Sequence, residues 1–241
     1  PANNLDNAPA FEPIPAYAEP DKLPKYFADE DSILCVGGGY GEPVCTAFGR
    51  VSGYPVGIIV TKGGVISAES AKKMTKHVRF CDAFSIPLIT IVDAERFEDL
   101  SSASKLISAY ADATAPKITV ISGTAVGAVY IALAGSTSGA DLVYAWPSAQ
   151  IAVMGADGAV NVLYAKDIKA VEDPDEQKKI REEKKAEYEE WFNNPYQAAR
   201  KGYIDDVIEP RNTRFRVIRA LEQLAGKKQM MPAKKHDNLP L

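Results

Sequence analysis

Side chains that could do chemistry are scarce in this sequence of 241 residues. Its two histidines are His77, in a predicted helix, and His236, near the C-terminus, so we expect surface histidines and no serine–histidine–acid triad. The run GSTSG at 135–139 resembles a nucleophile elbow, but its centre is Thr137, which favours a loop. The run GGGYGE at 37–42 has glutamate where the dinucleotide-binding pattern GxGxxG needs its last glycine. No group of histidine, cysteine and acid has the spacing of metal ligands, so no metal site is predicted.

The chemistry that remains belongs to the backbone of the segment from Gly123 to Tyr130 (GTAVGAVY). The apolar run before it predicts a buried strand, so this glycine-rich turn lies where a strand enters a helix. The first N–H groups of a helix have no intrahelical partner, and the helix dipole favours negative charge there. Two such amides form an oxyanion hole, which stabilises an enolate without a catalytic side chain. The alternative is that these glycines serve only tight helix–strand packing, and the residues alone do not decide between the two.

The same turn lies within an uncharged run, Ile118 to Gly135, whose length approaches that of a transmembrane helix. Pro116 precedes the run, its first residues are β-branched, and Gly123 interrupts it near the middle. These features favour a buried strand, a tight turn at Gly123 and a buried helix of small residues. We therefore expect no membrane span.

The elements that must position this turn alternate between strands and helices. Apolar runs on either side of the turn at 52–55 predict antiparallel strands, and Ser67 is a candidate N-cap of the helix that follows. From Pro87 onward, strands and helices alternate, which predicts an α/β fold with right-handed crossovers. The run 172–191 carries both signs of charge and is typical of a solvated helix. The next helix is predicted to stop at Gly202, and a final amphipathic helix at Gly226.

Composition indicates one large globular domain. Hydrophobic residues make up 46% and charged residues 25% of the chain, and the net charge of −4 argues against nucleic-acid binding. The three cysteines are odd in number and far apart, which suits a reducing cytoplasm rather than a disulfide framework. Residues 1–30 are polar and proline-rich, so we expect an extended, linker-like lead-in without a signal peptide, followed by one domain at 31–241.

Several runs in a fixed order give the sequence a family resemblance. They are AKKMTKHVRFCDAFSIPLITIVD, AYADATAPKITVI, TAVGAVY, ADLVYAWPSAQIAVMGADGAV and ARKGYIDDVIEPRNTRFRVIRALEQL. From about Asp31 to the C-terminus, the chain resembles the C-terminal half of biotin-dependent acyl-CoA carboxyltransferase subunits. That family includes the β subunit of propionyl-CoA carboxylase and the α subunits of methylmalonyl-CoA and glutaconyl-CoA decarboxylases.

The resemblance implies a fold and a set of partners. The fold is the crotonase-like (ClpP/crotonase) ββα superhelix, an α/β architecture. In the family, an N-terminal half binds the acyl-CoA and a C-terminal half binds carboxybiotin, and CO2 moves between the two. The implied partners are therefore an acyl-CoA, a separate biotin carrier protein, an N-terminal carboxyltransferase half or subunit, and further copies of the chain.

The resemblance also implies roles for individual residues. The family's Gly-Gly-Ala-Tyr or Gly-Ser-Ala-Tyr turn corresponds to Gly127-Ala128-Val129-Tyr130. The amides of Ala128 and Val129 are implied to be the catalytic groups, an oxyanion hole for the biotin ureido oxygen. Gly127 and Tyr130 are implied to bind biotin beside them, and Ile131 occupies a position that shapes acyl-CoA choice in the family.

Two departures from the family pattern keep other functions open. The loop after Asp93 is shorter than usual, and Ala128 and Val129 replace a glycine and an alanine, which crowds the turn. One alternative is a stand-alone crotonase-type hydratase or hydrolase, for which Asp141 and Asp157 are the nearest acids that follow the turn. We expect Asp141 to be an N-cap or strand-edge acid and Asp157 to lie in the GADGAV turn. The other is a non-catalytic assembly subunit whose pocket is blocked by Val129. Neither the acyl-CoA nor the direction of the reaction follows from the sequence.

Overall fold

An eight-stranded sheet is the framework of the protein. The computed structural model describes residues 22–165, 168, 171, 173–192 and 194–229. The strands are β1 (Leu34–Val36), β2 (Cys45–Val51), β3 (Tyr54–Val60), β4 (Val65–Ile66), β5 (Leu88–Ala94), β6 (Arg96–Phe97), β7 (Lys117–Val126), β8 (Leu142–Ala145), β9 (Gln150–Ala152) and β10 (Asp206–Val207). The sheet runs in the order β1-β2-β3-β5-β7-β8-β10, with β9 also paired to β7, and β4 pairs separately with β6. This arrangement confirms the predicted α/β class.

Helices pack on both faces of this sheet. They are α1 (Pro24–Phe27), α2 (Ala68–Ala83), α3 (Leu100–Asp112), α4 (Ala156–Leu163), α5 (Pro174–Phe192), α6 (Pro195–Arg200) and α7 (Thr213–Leu224), with short 3-10 turns at Ser136–Ser138 and Pro210–Asn212. Neighbouring residues of one strand belong to different apolar clusters: Ile59 packs with α2 and α3, whereas Ile58 and Val60 pack with α1 and α7. Because successive side chains of a strand point to opposite faces, the sheet has an apolar core on each side.

The order of the strands explains why the middle of the sheet is so apolar. Strands β1, β2 and β3 are antiparallel, whereas β3, β5, β7, β8 and β10 are mutually parallel. Helix α2 connects β3 to β5, and α3 connects β5 to β7. Parallel strands covered by helices on both faces carry continuous apolar runs, as β5 and β7 do. The carboxyl ends of β3, β5 and β7 therefore meet at one edge of the sheet, where ligands bind in open α/β folds.

Local signals in the sequence predicted several element boundaries correctly. The hairpin of β2 and β3 turns at Ser52 and Gly53, and the Ser67 hydroxyl accepts the Ser70 N–H over 3.1 Å at the start of α2. Gly202 has a φ of +74° just after α6, the left-handed conformation that ends helices. The predicted final helix is α7, which stops two residues before Gly226.

Residues 22–30 differ from the predicted extended lead-in. Helix α1 buries Phe27 completely in one of the two cores. The buried carboxylate of Asp29 accepts the N–H groups of Ser52 and Gly53 over 2.9 and 2.8 Å, and it pairs with Arg214 of α7 over 2.7 Å. This segment is therefore part of the folded unit, and residues 1–21 of the lead-in lie outside the described residues.

His77 was expected at the surface, and this prediction is wrong. Its side chain is only 5% exposed, because α2 turns it towards the sheet, where its ring lies 4.8 Å from the Phe48 ring centroid. A Cβ on Gly57 would lie 3.2 Å from its Nε2 atom, for which the described residues offer no hydrogen-bond partner. Burial, with a smaller contribution from the Lys73 ammonium, lowers the pKa of His77 from 6.5 to about 4, although a hydrogen bond to the Ala47 backbone opposes the shift.

Because the His77 imidazole is buried, we expect the free energy of unfolding to fall in mild acid. In the unfolded chain His77 takes up a proton as the pH falls below about 6.5, whereas the folded protein resists protonation until about pH 4. The stabilisation is fully present above pH 6.5 and falls by up to about 3 kcal/mol as the pH drops to 4. Urea unfolding of His77→Leu and wild type across this range should show the difference between them changing by about that amount. Two parallel stability curves would contradict the account.

Candidate active site

Strand β7 has different neighbours along its length: β8 pairs with its first part and β9 pairs with its last part. Ile118 to Ile121 pair with β5 and β8, whereas Thr124 to Val126 pair with β9 and only Ala125 among them still pairs with β5. This second pairing keeps the backbone extended through Gly123, where the sequence predicted the turn. The turn therefore comes four residues later, at Gly127, and the predicted boundary is wrong because a partner distant in sequence extends the strand.

Gly127 makes the turn from strand to helix. Its φ of +57° is in the left-handed region, which glycine adopts without the steric cost that a Cβ brings. Its N–H donates to the carbonyl of Ala152 over 2.9 Å, and its own carbonyl accepts the N–H of Ile131 over 3.1 Å. The amides of Ala128 and Val129 thus lie in the first turn of the helical segment, where N–H groups have no intrahelical acceptor.

The segment that follows is a π-helix over Tyr130–Ala134. π-Helical turns are rare and occur frequently at functional sites. Within the parts of the chain that the structure describes, no helix is long and apolar enough to cross a membrane. The uncharged run from Ile118 to Gly135 is a strand, a turn and a short helical segment in the predicted order, with the turn at Gly127 instead of Gly123.

The five predicted site residues lie together but face different surroundings. Val129 is completely buried and packs in the apolar core, so its side chain does not line the surface beside the turn. Ala128 is partly buried, and Ile131 is 43% exposed. Tyr130 is 7% exposed, and its hydroxyl donates to the Tyr203 carbonyl over 2.9 Å. The pKa of Tyr130 is raised by burial, so the phenol remains a neutral donor to that carbonyl.

A cavity of about 100 Å³ lies beside the turn. One wall is the Tyr130 ring and the end of β9, and the opposite wall is α6 with the residues after it. Its lining residues are Tyr130, Ile151, Ala152, Val153, Tyr188, Gln197, Ala198, Lys201 and Tyr203. The lining is largely apolar and phenolic, and its other polar groups are the Gln197 amide and the Lys201 ammonium, which suits an uncharged ring system with a polar substituent.

Sequence reasoning missed the two carbonyls that hold this turn, those of Ala152 and Tyr203. The Tyr203 carbonyl lies 73 residues along the chain from the Tyr130 hydroxyl that it accepts. A backbone acceptor has no residue preference, so no local motif could have revealed it. The fold alone brings these groups to the turn.

The acids that a hydratase would need are engaged elsewhere. Asp141 accepts the N–H of Lys117 over 2.8 Å and pairs with Lys227 over 2.8 Å, which fits the predicted strand-edge role. Asp157 was placed in a turn, but it lies in the first turn of α4 and pairs with Lys185 over 2.9 Å. Among the described residues, no group of three or more histidines, cysteines and acids is arranged to hold a metal ion.

The comparisons with known proteins agree on one family. Residues 13–239 match the carboxyl transferase domain family. The chain is 40% identical to methylmalonyl-CoA decarboxylase subunit alpha of Propionigenium modestum over 100% of this chain and 52% of that protein. It is 45% identical to the methylmalonyl-CoA carboxyltransferase 12S subunit of Propionibacterium freudenreichii subsp. shermanii over 88% of this chain and 42% of that protein.

Solved structures give the same result. The crystal structure of transcarboxylase 12S, a hexamer with methylmalonyl-coenzyme A and methylmalonic acid bound, superposes with a TM-score of 0.83 at 41% identity, covering 98% of this chain and 47% of that chain. The β subunit of geranyl-CoA carboxylase from P. aeruginosa, at 22% identity and a TM-score of 0.77, shares the fold. The chain thus spans about half the length of the relatives it matches.

The conformation of Gly127 predicts a measurable cost of substitution. A Cβ at this position would lie 3.6 Å from the Val153 carbonyl oxygen, so space exists and the cost is conformational. Gly127→Ala should lower the free energy of unfolding by about 1–2 kcal/mol, the cost of a left-handed non-glycine residue. Gly226→Ala is the matched control, since a Cβ there meets no atom within 4 Å. Equal urea midpoints for the two variants would show that the turn does not require glycine.

Proposed function

Because the chain belongs to the carboxyl transferase domain family and has its crotonase-type α/β fold, we propose that it is the carboxybiotin-binding half of a biotin-dependent carboxyltransferase. The proposed reaction moves CO2 between biotin on a separate carrier protein and an acyl-CoA of the methylmalonyl-, propionyl-, malonyl- or glutaconyl-CoA type. One observation carries the proposal: the left-handed turn at Gly127 begins a helical segment whose first amides lack intrahelical acceptors.

The amides of Ala128 and Val129 suit this chemistry. Biotin, when bound, supplies a ureido group that carries the carboxyl. A ureido oxygen held here would gain negative charge during carboxyl transfer, and the N–H groups of Ala128 and Val129 would stabilise that charge as preorganised donors. The start of the helical segment adds the favourable end of its dipole. The fit is chemical as well as electrostatic, because neutral amide donors and an apolar, phenolic cavity suit an uncharged bicyclic ring.

Two contacts of the turn preserve this geometry. The Gly127 N–H donates to the Ala152 carbonyl, and this hydrogen bond holds the end of the strand. The Tyr130 hydroxyl donates to the Tyr203 carbonyl, and this hydrogen bond holds the helical segment. A catalytic oxyanion hole must be rigid, since a misplacement of about 1 Å costs about 10²-fold in rate. The buried Val129 side chain also holds the turn in place. Because this side chain lies in the core, it does not block the pocket, which supports a catalytic subunit over a non-catalytic assembly subunit.

Exposed apolar residues around the turn support an interface with the N-terminal half. Val153 is 65% and Met154 is 42% exposed directly after β9, while Val162 and Leu163 are 68% and 61% exposed at the end of α4. Clustered apolar exposure of this kind marks protein–protein interfaces. We propose that the N-terminal carboxyltransferase half covers this surface and supplies the acyl-CoA, and that the assembly contains further copies of the chain.

The proposed setting of the enzyme follows from smaller observations. None of the three cysteines, Cys35, Cys45 and Cys81, is joined in a disulfide within the described part of the chain, which supports a reducing compartment such as the cytoplasm. The proposed carboxyltransferase domain is extended towards the N-terminus to include residues 22–30, because α1 packs in its core. Residues 1–21 keep the proposed role of a linker-like lead-in.

Replacing Ala128 by proline tests the oxyanion hole directly. Proline removes the N–H, yet it is tolerated in the first turn of a helix. We expect Ala128→Pro to reduce carboxyl transfer from carboxybiotin carrier to acyl-CoA by about 10²–10³-fold, the cost of one lost oxyanion donor. The assay combines the chain with a separately supplied N-terminal half, a biotinylated carrier and a panel of acyl-CoA substrates.

Ala128→Ser is the matched control, since it changes the side chain and keeps the N–H. It should transfer carboxyl at a rate within a few-fold of wild type, with both variants unfolding near the wild-type urea midpoint. Equal rates for the proline and serine variants would remove the amide from the mechanism. A fully assembled mixture that transfers no carboxyl with wild-type chain would overturn the proposed function itself.

A further inference from the structure

Asp93 lies near the carboxyl end of β5, with its side chain against the backbone of β7. A Cβ on Gly123 would lie 2.3 Å from both Cγ and Oδ1 of Asp93, so a larger residue has no room beneath the carboxylate. The Thr124 N–H donates to Asp93 Oδ1 over 2.9 Å. The carboxylate therefore touches two consecutive residues of β7 at the point where that strand changes neighbours.

This contact replaces a missing part of the strand ladder. Val92 pairs with Ile121 and Ala94 pairs with Ala125, so β7 uses four residues where β5 uses two. The extra residues of β7 cannot all bond to β5, and an extended backbone donor left without an acceptor is costly. The Asp93 carboxylate supplies the acceptor for the Thr124 N–H at the centre of this bulge.

Asp93 is itself held in place by the neighbouring strand. Its N–H donates over 3.0 Å to the hydroxyl of Thr61, the residue that follows β3. Beyond the bulge, Thr124 to Val126 pair with β9, and the Gly127 N–H completes that pairing at Ala152. An unbroken series of contacts thus runs from Thr61 through Asp93 and the bulge to the turn at Gly127.

We propose that Asp93 is a positioning residue for the carboxybiotin turn: its carboxylate holds the bulge at Gly123 and Thr124, and so sets where the amides of Ala128 and Val129 lie. This inference rests on the function proposed for that turn. Asp93 needs only an acceptor oxygen for this role, and its charge plays no part in the transfer step. A role as general acid or base would instead require an ionisable carboxyl group.

Two substitutions separate these roles. Asp93→Asn keeps an acceptor oxygen, so its transfer rate should remain within about five-fold of wild type, with an unchanged pH profile. Asp93→Ala removes the acceptor, so kcat should fall by about 10²-fold with little change in KM, as expected for misplaced transition-state donors. An asparagine variant as defective as the alanine variant would assign Asp93 to proton transfer and overturn the positioning role.

Amide hydrogen exchange on the chain alone gives a readout that does not depend on activity. Asp93→Ala should raise exchange at least ten-fold at the amides from Thr124 to Val129. Asp82→Ala is the matched control, because the Asp82 carboxylate also accepts a backbone N–H, that of Thr114, over 2.6 Å but away from the turn. Exchange in the segment after Gly123 should stay at the wild-type level in that control.

A second variant covers the case in which Asp93→Ala does not fold. Thr61→Val removes only the hydroxyl that holds the Asp93 N–H, and it should raise exchange from Thr124 to Val129 a few-fold. Wild-type exchange and wild-type kinetics in every folded variant would overturn the inference while leaving the proposed function intact. If the wild-type assembly transfers no carboxyl, the proposed function fails, whereas the exchange comparison still decides whether Asp93 positions the turn.

Discussion

The first half of strand β7 lies in the core of the sheet, and its second half leads into the candidate site. Up to Ile121 it is a buried parallel strand between β5 and β8, and its position is determined by apolar packing on both faces. After Gly123 it pairs with β9, which turns its end towards the opening of the sheet. The turn, its first amides and the cavity beside them depend on this exchange of neighbours and on the contact of Thr124 with Asp93, because these contacts hold the end of the strand.

Because the proposed site is made of backbone amides, the fold must hold the backbone itself in position. A catalytic side chain tolerates small backbone shifts by changing rotamer, whereas an amide moves with the chain. The structure meets this demand with hydrogen bonds to groups distant in sequence: Gly127 with Ala152, Thr124 with Asp93 and Tyr130 with Tyr203. It also anchors the first helical turn through Val129, which is fully buried.

The parts of the fold that local chemistry determines were predictable from the sequence, and the parts that depend on distant partners were not. Ser67 caps its helix and Gly202 ends another because N-caps and left-handed residues have strong local preferences. The turn was expected at Gly123, since a glycine within an apolar run is a breaker, but pairing with β9 keeps that glycine extended. Gly123 is required for a different reason, which is the close approach of the Asp93 carboxylate.

The unpredicted burial of Phe27 and of His77 also depends on partners that are distant in sequence. Nothing in the proline-rich start of the chain signals that Phe27 is buried, because its partners on α7 come almost 190 residues later; the Arg214 guanidinium that donates to the Phe27 carbonyl is 187 residues away. His77 has polar and charged neighbours in sequence, yet it occupies the buried stripe of α2. For the candidate site, the five residues that the resemblance implies stay a prediction; the structure shows that Val129 and Tyr130 are buried and that Ile131 is exposed.

The measurement that tests the central claim most directly is a crystal structure of this chain with biotin, together with its N-terminal half. The account predicts the ureido oxygen within about 2.7–3.1 Å of the backbone nitrogens of both Ala128 and Val129, the distance at which oxyanion-hole donors act. Biotin bound elsewhere in the assembly, or these two amides donating instead to an acceptor of the protein, would contradict it.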